Sequence, residues 1–252
     1  MLGVAGEMGS GKGLATELVK QWYPGTQSFR FSDSLREFYR RIIAHVVTKN
    51  DTFEITDEFL VSCMLTDSFG SSVCTQDADR SGLRTFIRWL IFEFIPKHGR
   101  VWTMQGSTID LQDISTAVRQ YFGSDILERA IIARVNASTS ESPIIILDGI
   151  RRPRDIATLV KDSSVSFGLL YIEVDAKTRY ERHKARAEKP GDAELTFEQF
   201  LALGSVEAER EIVRLRPLSN AIIDNSGEFA HLEGALRMLI EGWLVHGTEN
   251  RR

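Results

Sequence analysis

"GEMGSGKG", residues 6–13, decides how this chain is read. It follows the short apolar run Leu2-Gly3-Val4-Ala5 and precedes "LATELVKQW", so that a helix is expected over 12–22. The eight residues satisfy G-x-x-x-x-G-K between a strand and a helix, the setting that a phosphate-binding loop needs. Glycines let successive backbone N–H groups turn inward around phosphate oxygens, where side chains would collide. The helix N-terminus adds positive potential, and Lys12 brings a full charge to the β/γ-phosphates. Gly6, Glu7, Met8, Gly9, Ser10, Gly11, Lys12, Gly13 and Leu14 are thus the expected nucleotide-binding stretch. Gly13 stands where such loops usually carry a Ser or Thr that touches magnesium, so the metal must be held from elsewhere.

Outward from the loop, three segments read as buried parallel strands because they are short, continuous and apolar: 143–148, 167–174 and 220–224. "SFRF" (28–31) is a weaker candidate. Helical patterns cover 12–22, 33–48, 153–162, 176–188 and 228–244, with Asp33 and Asp175 placed to cap two of them. Strands alternating with helices predict an α/β fold, a doubly wound parallel sheet of about five strands flanked by helices.

Residues 50–140 interrupt this alternation with helical stretches at 55–65, 83–95, 111–122 and 125–135 and no convincing strand. They read as a helical insertion. "FIRWLIFEFIPKHG" is apolar on more than one face and is expected to end at Pro96; it is either a buried core helix or, over 81–97, a homodimer interface. "RAEKPGDAELT" (186–196) is a polar Pro-Gly loop between helices, and the tail 246–252 is expected to fray.

The composition narrows the classes of partner. A net charge of −4 over 252 residues argues against bulk nucleic-acid binding. No run approaches the length of a membrane span, and the N-terminus lacks the pattern of a signal peptide, so a cytoplasmic protein with no membrane partner is expected. Cys63 and Cys74 fit incidental thiols of a reducing compartment. His45, His98, His183, His231 and His246 have no metal-ligand spacing, so no zinc site is expected.

Three further stretches carry charge in telling places. In "IIILDGIRRPRDIATL" (144–159) Asp148 closes a buried strand, where a carboxylate is poised to hold magnesium or its water shell. Arg179, Arg182 and Arg186 fall at i, i+3 and i+7 on one helix face, as either a solvated basic face or a cover over a transferring phosphoryl group. Arg210 and Arg214 could form the other side of such a cover. In "FSDSLREF" (31–38) Asp33 and Arg36 read either as a cap and a surface arginine or as ligands of a phosphate.

Together these motifs resemble the superfamily of nucleoside monophosphate kinases and dephospho-CoA kinases. The GKG arrangement is similar to that of adenylate kinases, although Leu14 replaces the Thr that follows there. "FSDSLREF" resembles the segment ending in G-D-x-L-R, which implies acceptor roles for Ser32 and Arg36, with Asp33 as a base if the acceptor is a hydroxyl. "DGIRR" resembles D-G-x-P-R and implies that Arg151 and Arg152 grip the acceptor phosphate. "VRQYFGSD" (118–125) resembles L-R-x-x-x-G-x-D of a branch of small nucleotide kinases, adding Arg119 to the acceptor side. "IIDNSGEF" resembles the last-strand turn of dephospho-CoA kinases, which implies Asn225 and Gly227 near the adenine, though a plain turn explains them as well.

The resemblance spans 1–48 and 107–245. It implies one P-loop kinase domain: a core of 1–32 and 141–252, an acceptor-side insertion of about 33–140, and a lid of about 179–214. The implied cofactors are ATP and Mg²⁺. Lys12, Asp148, Asp33, Arg182 and Arg186 become the expected catalytic residues, with Asp148 also the metal residue. The implied activity is ATP-dependent phosphoryl transfer to a small phosphorylated acceptor, first a (deoxy)nucleoside monophosphate. Two alternatives stay open: hydroxyl phosphorylation as in dephospho-CoA kinases, and a nucleotide-binding switch.

Overall fold

Leu2–Ala5 forms strand β1, and all four residues are buried, as a run apolar apart from one glycine requires. The computed structural model describes residues 1–33, 35–36, 77–98, 108–137, 144–162, 166–187, 192–204 and 207–249. Cys63, Cys74, the helix expected over 55–65 and most of that over 33–48 lie outside the described residues. After β1 come α1 (Lys12–Trp22) and β2 (Gln27–Arg30). The helices α2 (Asp77–Trp89), α3 (Ile95–His98), α4 (Thr108–Phe122) and α5 (Ile126–Ala137) follow. The chain then returns to β3 (Ile145–Asp148), α6 (Pro153–Asp162), β4 (Gly168–Glu173) and α7 (Ala176–Arg186). It closes with α8 (Phe197–Gly204), α9 (Glu207–Val213), β5 (Ala221–Asp224) and α10 (Phe229–Glu249).

The five strands make one parallel sheet in the order β2-β3-β1-β4-β5. Strand β1 lies at its centre, with Val4 opposite Asp148 of β3 and Ala5 opposite Tyr171 of β4. Leu2, Val4, Ile146, Leu170 and Ile172 alternate along their strands and share one cluster with Leu18 and Val19 of α1 and Leu232, Leu236 and Ile240 of α10. The intervening positions Leu147, Leu169 and Tyr171 are buried too, so both faces of the sheet are covered, as parallel sheets demand. Each such Leu or Ile contributes about 1.5–3 kcal/mol by leaving water.

The chain divides into two compact units, Met1–Phe29 with Ser140–Arg252, and Arg30–Thr139. The first holds the sheet. In the second, Leu83, Phe86, Ile87, Leu90 and Phe94 are all buried, and Phe86 meets Phe122 edge-on at 5.6 Å. The described part of 81–97 is therefore a core helix, with Phe92 as its exposed aromatic. Pro96 does not end it. A π-helical turn, Leu90–Phe94, precedes the proline, and the chain stays helical through α3. A proline early in a new helical segment loses only an N–H that has no intrahelical partner there.

Several helix ends differ from the sequence expectation: α10 runs to Glu249, into the tail expected to fray. Phe31, Ser32 and Asp33 are already helical, which places Asp33 in a first turn rather than at the cap. Helix α7 stops at Arg186 because Ala187 turns left-handed (φ 42°), its N–H bonding His183 O at 3.1 Å. Asp175 does cap α7, accepting from the Thr178 N–H at 2.9 Å. Hydrogen bonds from Thr178 hold its carboxyl below the ordinary value. Among the described residues, no helix is long and apolar enough to cross a membrane.

Candidate functional site

From β1 the chain leaves toward β2, on one side of the sheet, and from β4 it leaves toward β5, on the other. Neighbouring strands that part in this way open a crevice at their carboxyl ends, where α/β sheets take ligands. The loop 6–13 lies at that edge. Gly6 has φ 146°, and a Cβ there would sit 2.3 Å from Ile172 O of β4. Gly11 has φ 96°, and its Cβ would meet the Asn225 amide nitrogen at 2.4 Å. Both positions admit only glycine. Gly13, by contrast, has nothing within 4 Å of a Cβ, so the protein itself does not demand glycine there.

Lys12 Nζ donates to Gly6 O at 2.6 Å and to Glu7 O at 2.8 Å, which draws the ammonium across the loop. Ala15 is the first-turn residue whose N–H bonds back to Gly11 O, at 3.0 Å, so the N–H groups of Gly13 and Leu14 precede the intrahelical ladder. Ser10, within the loop, is wholly buried and its hydroxyl has no hydrogen-bond partner among the described residues. Asn225, also buried, donates from Nδ2 to Ser10 O at 2.9 Å, while its own N–H bonds Glu173 O at 2.9 Å. The contact that Asn225 makes is therefore a prop under the loop 6–13. Gly227 is exposed, with open space around it.

Asp148 is half-buried at the end of β3, level with Val4 and so beside the start of the loop. Gly149 turns the chain (φ 86°) into Arg151 and Arg152, both half-buried. The sequence reading missed what fixes them. Asp155 is buried, and its Oδ2 accepts from the Arg151 N–H at 3.1 Å and the Arg152 N–H at 3.0 Å. Asp155 is the third residue of α6, and a carboxylate there reaching back to the N-cap N–H is half of a capping box. Pro153 at the first helical position was the available signal.

On α7 the three arginines separate. Arg179 is buried, and its guanidinium turns to the loop 6–13, with Nη2 2.9 Å from Glu7 Oε1 and Nη1 3.5 Å from Met8 O. It is neither a solvated nor a covering arginine. Arg182 is half-buried and makes no side-chain hydrogen bond or ion pair among the described residues; Arg186 is exposed at the end of the helix. Arg210 and Arg214 are exposed, and Arg214 pairs with Glu211 at 2.7 Å. Beside the loop, burial first and Glu7 second push the Tyr171 hydroxyl up to about 12.

In the second unit, Ser32, Asp33 and Arg36 are half-buried within a helical segment. Arg119 donates from Nη1 to both oxygens of Glu128, at 3.0 and 3.2 Å, and to Ser124 O. Glu128 is fully buried, so this pair accounts for the burial of Arg119, and removing either partner would strand a charge. Among the described residues, no three His, Cys, Asp or Glu converge as a metal cage.

No family model matches the chain, and no curated protein matches it. Solved structures similar to it include TT1252 from Thermus thermophilus, at 16% identity and a TM-score of 0.45 over 96% of each chain. Another is a dephospho-CoA kinase from Campylobacter jejuni, at 11% identity and a TM-score of 0.43, over 96% of this chain and 95% of that one. Likeness at this level carries no argument about activity.

Proposed function

We propose that this chain transfers a phosphoryl group from ATP to a small phosphorylated acceptor, a (deoxy)nucleoside monophosphate above all. The observation that carries the reading is the loop 6–13. It has a glycine cradle backed by β4 and Asn225, with the Lys12 ammonium drawn over it at the parting of β1 and β4. Such a cradle fits the phosphates of a nucleoside triphosphate, and backbone N–H groups at the start of α1 face the same charge.

Asp148, level with Val4 beside the start of the loop, is assigned to Mg²⁺; the ion would be held by this carboxylate and the substrate's own phosphates and would supply charge neutralisation. Lys12 stabilises the negative charge that grows on the phosphates, and Arg182 and Arg152, whose guanidinium groups make no hydrogen bond or ion pair among the described residues, bring further positive charge. Arg151 and Arg152, their backbones pinned by Asp155, are assigned to the acceptor phosphate. Ser32, Asp33 and Arg36 are assigned to the acceptor side on the strength of the sequence motif alone. A phosphate acceptor is already nucleophilic, so no strong base is required.

The test is nucleotide-coupled ADP release across a panel of nucleoside monophosphates and dephospho-CoA. Arg152→Ala is expected to lower the acceptor kcat/KM by roughly ten- to a hundredfold, the loss of a charge-assisted, bidentate contact, with MgATP affinity unchanged. Arg152→Lys should recover little, since a point charge does not reproduce the planar fork. If no acceptor stimulates turnover and Arg152→Ala matches wild type, the loop serves a nucleotide-binding switch instead.

A further inference from the structure

A loop that collects phosphates gains nothing obvious from an acid, yet residue 7 is a glutamate and its carboxylate is part of the loop's surface, with the side chain 31% exposed. Beneath it lies Arg179, whose side chain is 10% exposed. The guanidinium is spent entirely on this corner. Nη2 pairs with Glu7 Oε1 at 2.9 Å, Nη1 points to Met8 O at 3.5 Å, and Nε donates to Val174 O at 3.2 Å. Its far face lies 5.8 Å from the Phe200 ring of α8. The loop also touches the backbone of the same residue, since a Cβ on Gly9 would come within 2.8 Å of Arg179 O.

We infer that Glu7 and Arg179 are a charge-balancing pair that sets how tightly the loop holds a triphosphate, with Arg179 a positioning residue that acts through Glu7. This rests on the nucleotide-binding reading of the loop. Without the arginine, the carboxylate repels the phosphates that Lys12 and the helix N-terminus attract. With it, the corner is neutral, and the backbone of residues 7 and 8 is fixed in the same act. A second effect follows from Arg182, one helical turn further along α7: the Glu7–Arg179 bridge ties the helix bearing Arg182 to the loop bearing Lys12.

A brace and a charge balance predict opposite signs for one substitution. If the bridge only braces the loop, Glu7→Gln weakens binding. If it balances charge, Glu7→Gln removes the repelling group and leaves the cation of Arg179 in place. MgATP affinity, measured by calorimetry, should then rise about five- to tenfold, the order expected for one unit charge acting across about 10 Å of partly screened medium. Arg179→Met is expected to weaken MgATP by about tenfold or more, an effect that shrinks as salt is raised, and adding Glu7→Gln should restore most of the loss. Inorganic tripolyphosphate should follow the same order, because no base is involved. Should Arg179→Met fail to fold, Glu7→Gln alone still decides. Weaker binding by Glu7→Gln, or an Arg179→Met defect that Glu7→Gln leaves untouched, overturns the pair. A wild-type chain that binds neither MgATP nor tripolyphosphate overturns the reading of the loop itself.

Discussion

Lys12→Met is expected to lower acceptor-stimulated ATP turnover by on the order of a hundred- to a thousandfold, the scale on which one fixed electrostatic partner of a transition state is lost. Methionine keeps the unbranched stem and removes the ammonium. The lost contacts include part-buried hydrogen bonds to Gly6 O and Glu7 O, so the thermal midpoint should fall by no more than about 10 °C. MgATP binding should weaken less than turnover falls, because charge on the phosphoryl group matters most as transfer proceeds. Parallel melting and turnover measurements check this. A folded Lys12→Met protein with wild-type turnover would remove the loop from the chemistry.

Gly6→Ala should have the largest effect on the fold. Its Cβ would lie 2.3 Å from Ile172 O; the oxygen belongs to backbone and the Cβ is fixed by it, so neither can swing aside. Strain at a positive φ and overpacking each cost about 1–3 kcal/mol, which together lower the melting temperature by roughly 5–15 °C for a chain of this size. MgATP affinity should fall with it, since the loop can relieve the clash only by leaving β4. Gly13→Ala is the control within the same loop. Nothing lies within 4 Å of its Cβ, and the residue is helical, so stability should hold or rise by up to about 1 kcal/mol. Equal melting curves for the two variants would show that the loop does not depend on β4.

The strands were legible because a strand buried on both faces has to be apolar where it is buried, and in Leu2–Ala5, Ile145–Asp148 and Gly168–Glu173 the charged residues Asp148 and Glu173 come only at the strand ends. Asp175 was legible as a cap because its partner is three residues away. What escaped depends on strand order or on atoms far along the chain. The spacing of Arg179, Arg182 and Arg186 shows that they share a face, and nothing local says that the first of them turns under Glu7. The bond of Asn225 to Ser10 O joins positions 215 residues apart, and only the sheet brings them together. Pro96 misled for a local reason, since a π turn just ahead of it let the helix continue. Arg119 and Glu128 sit on different helices across a turn, so no helical periodicity pairs them.

The central place of β1 also governs timing during synthesis. Its two neighbours in the sheet, β3 and β4, begin only at Ile145 and Gly168, and the prop under its loop comes still later, at Asn225. At about 5–20 residues per second, the ribosome delivers the first partner roughly seven to thirty seconds after β1 itself. Throughout that interval an apolar strand and its glycine loop have no sheet to join, so the nascent chain carries exposed, chaperone-attracting surface. The loop 6–13, although made ahead of its partners, is among the last parts to acquire its final shape. Partial chains ending before residue 225 should therefore be poor nucleotide binders, however well their helices have formed.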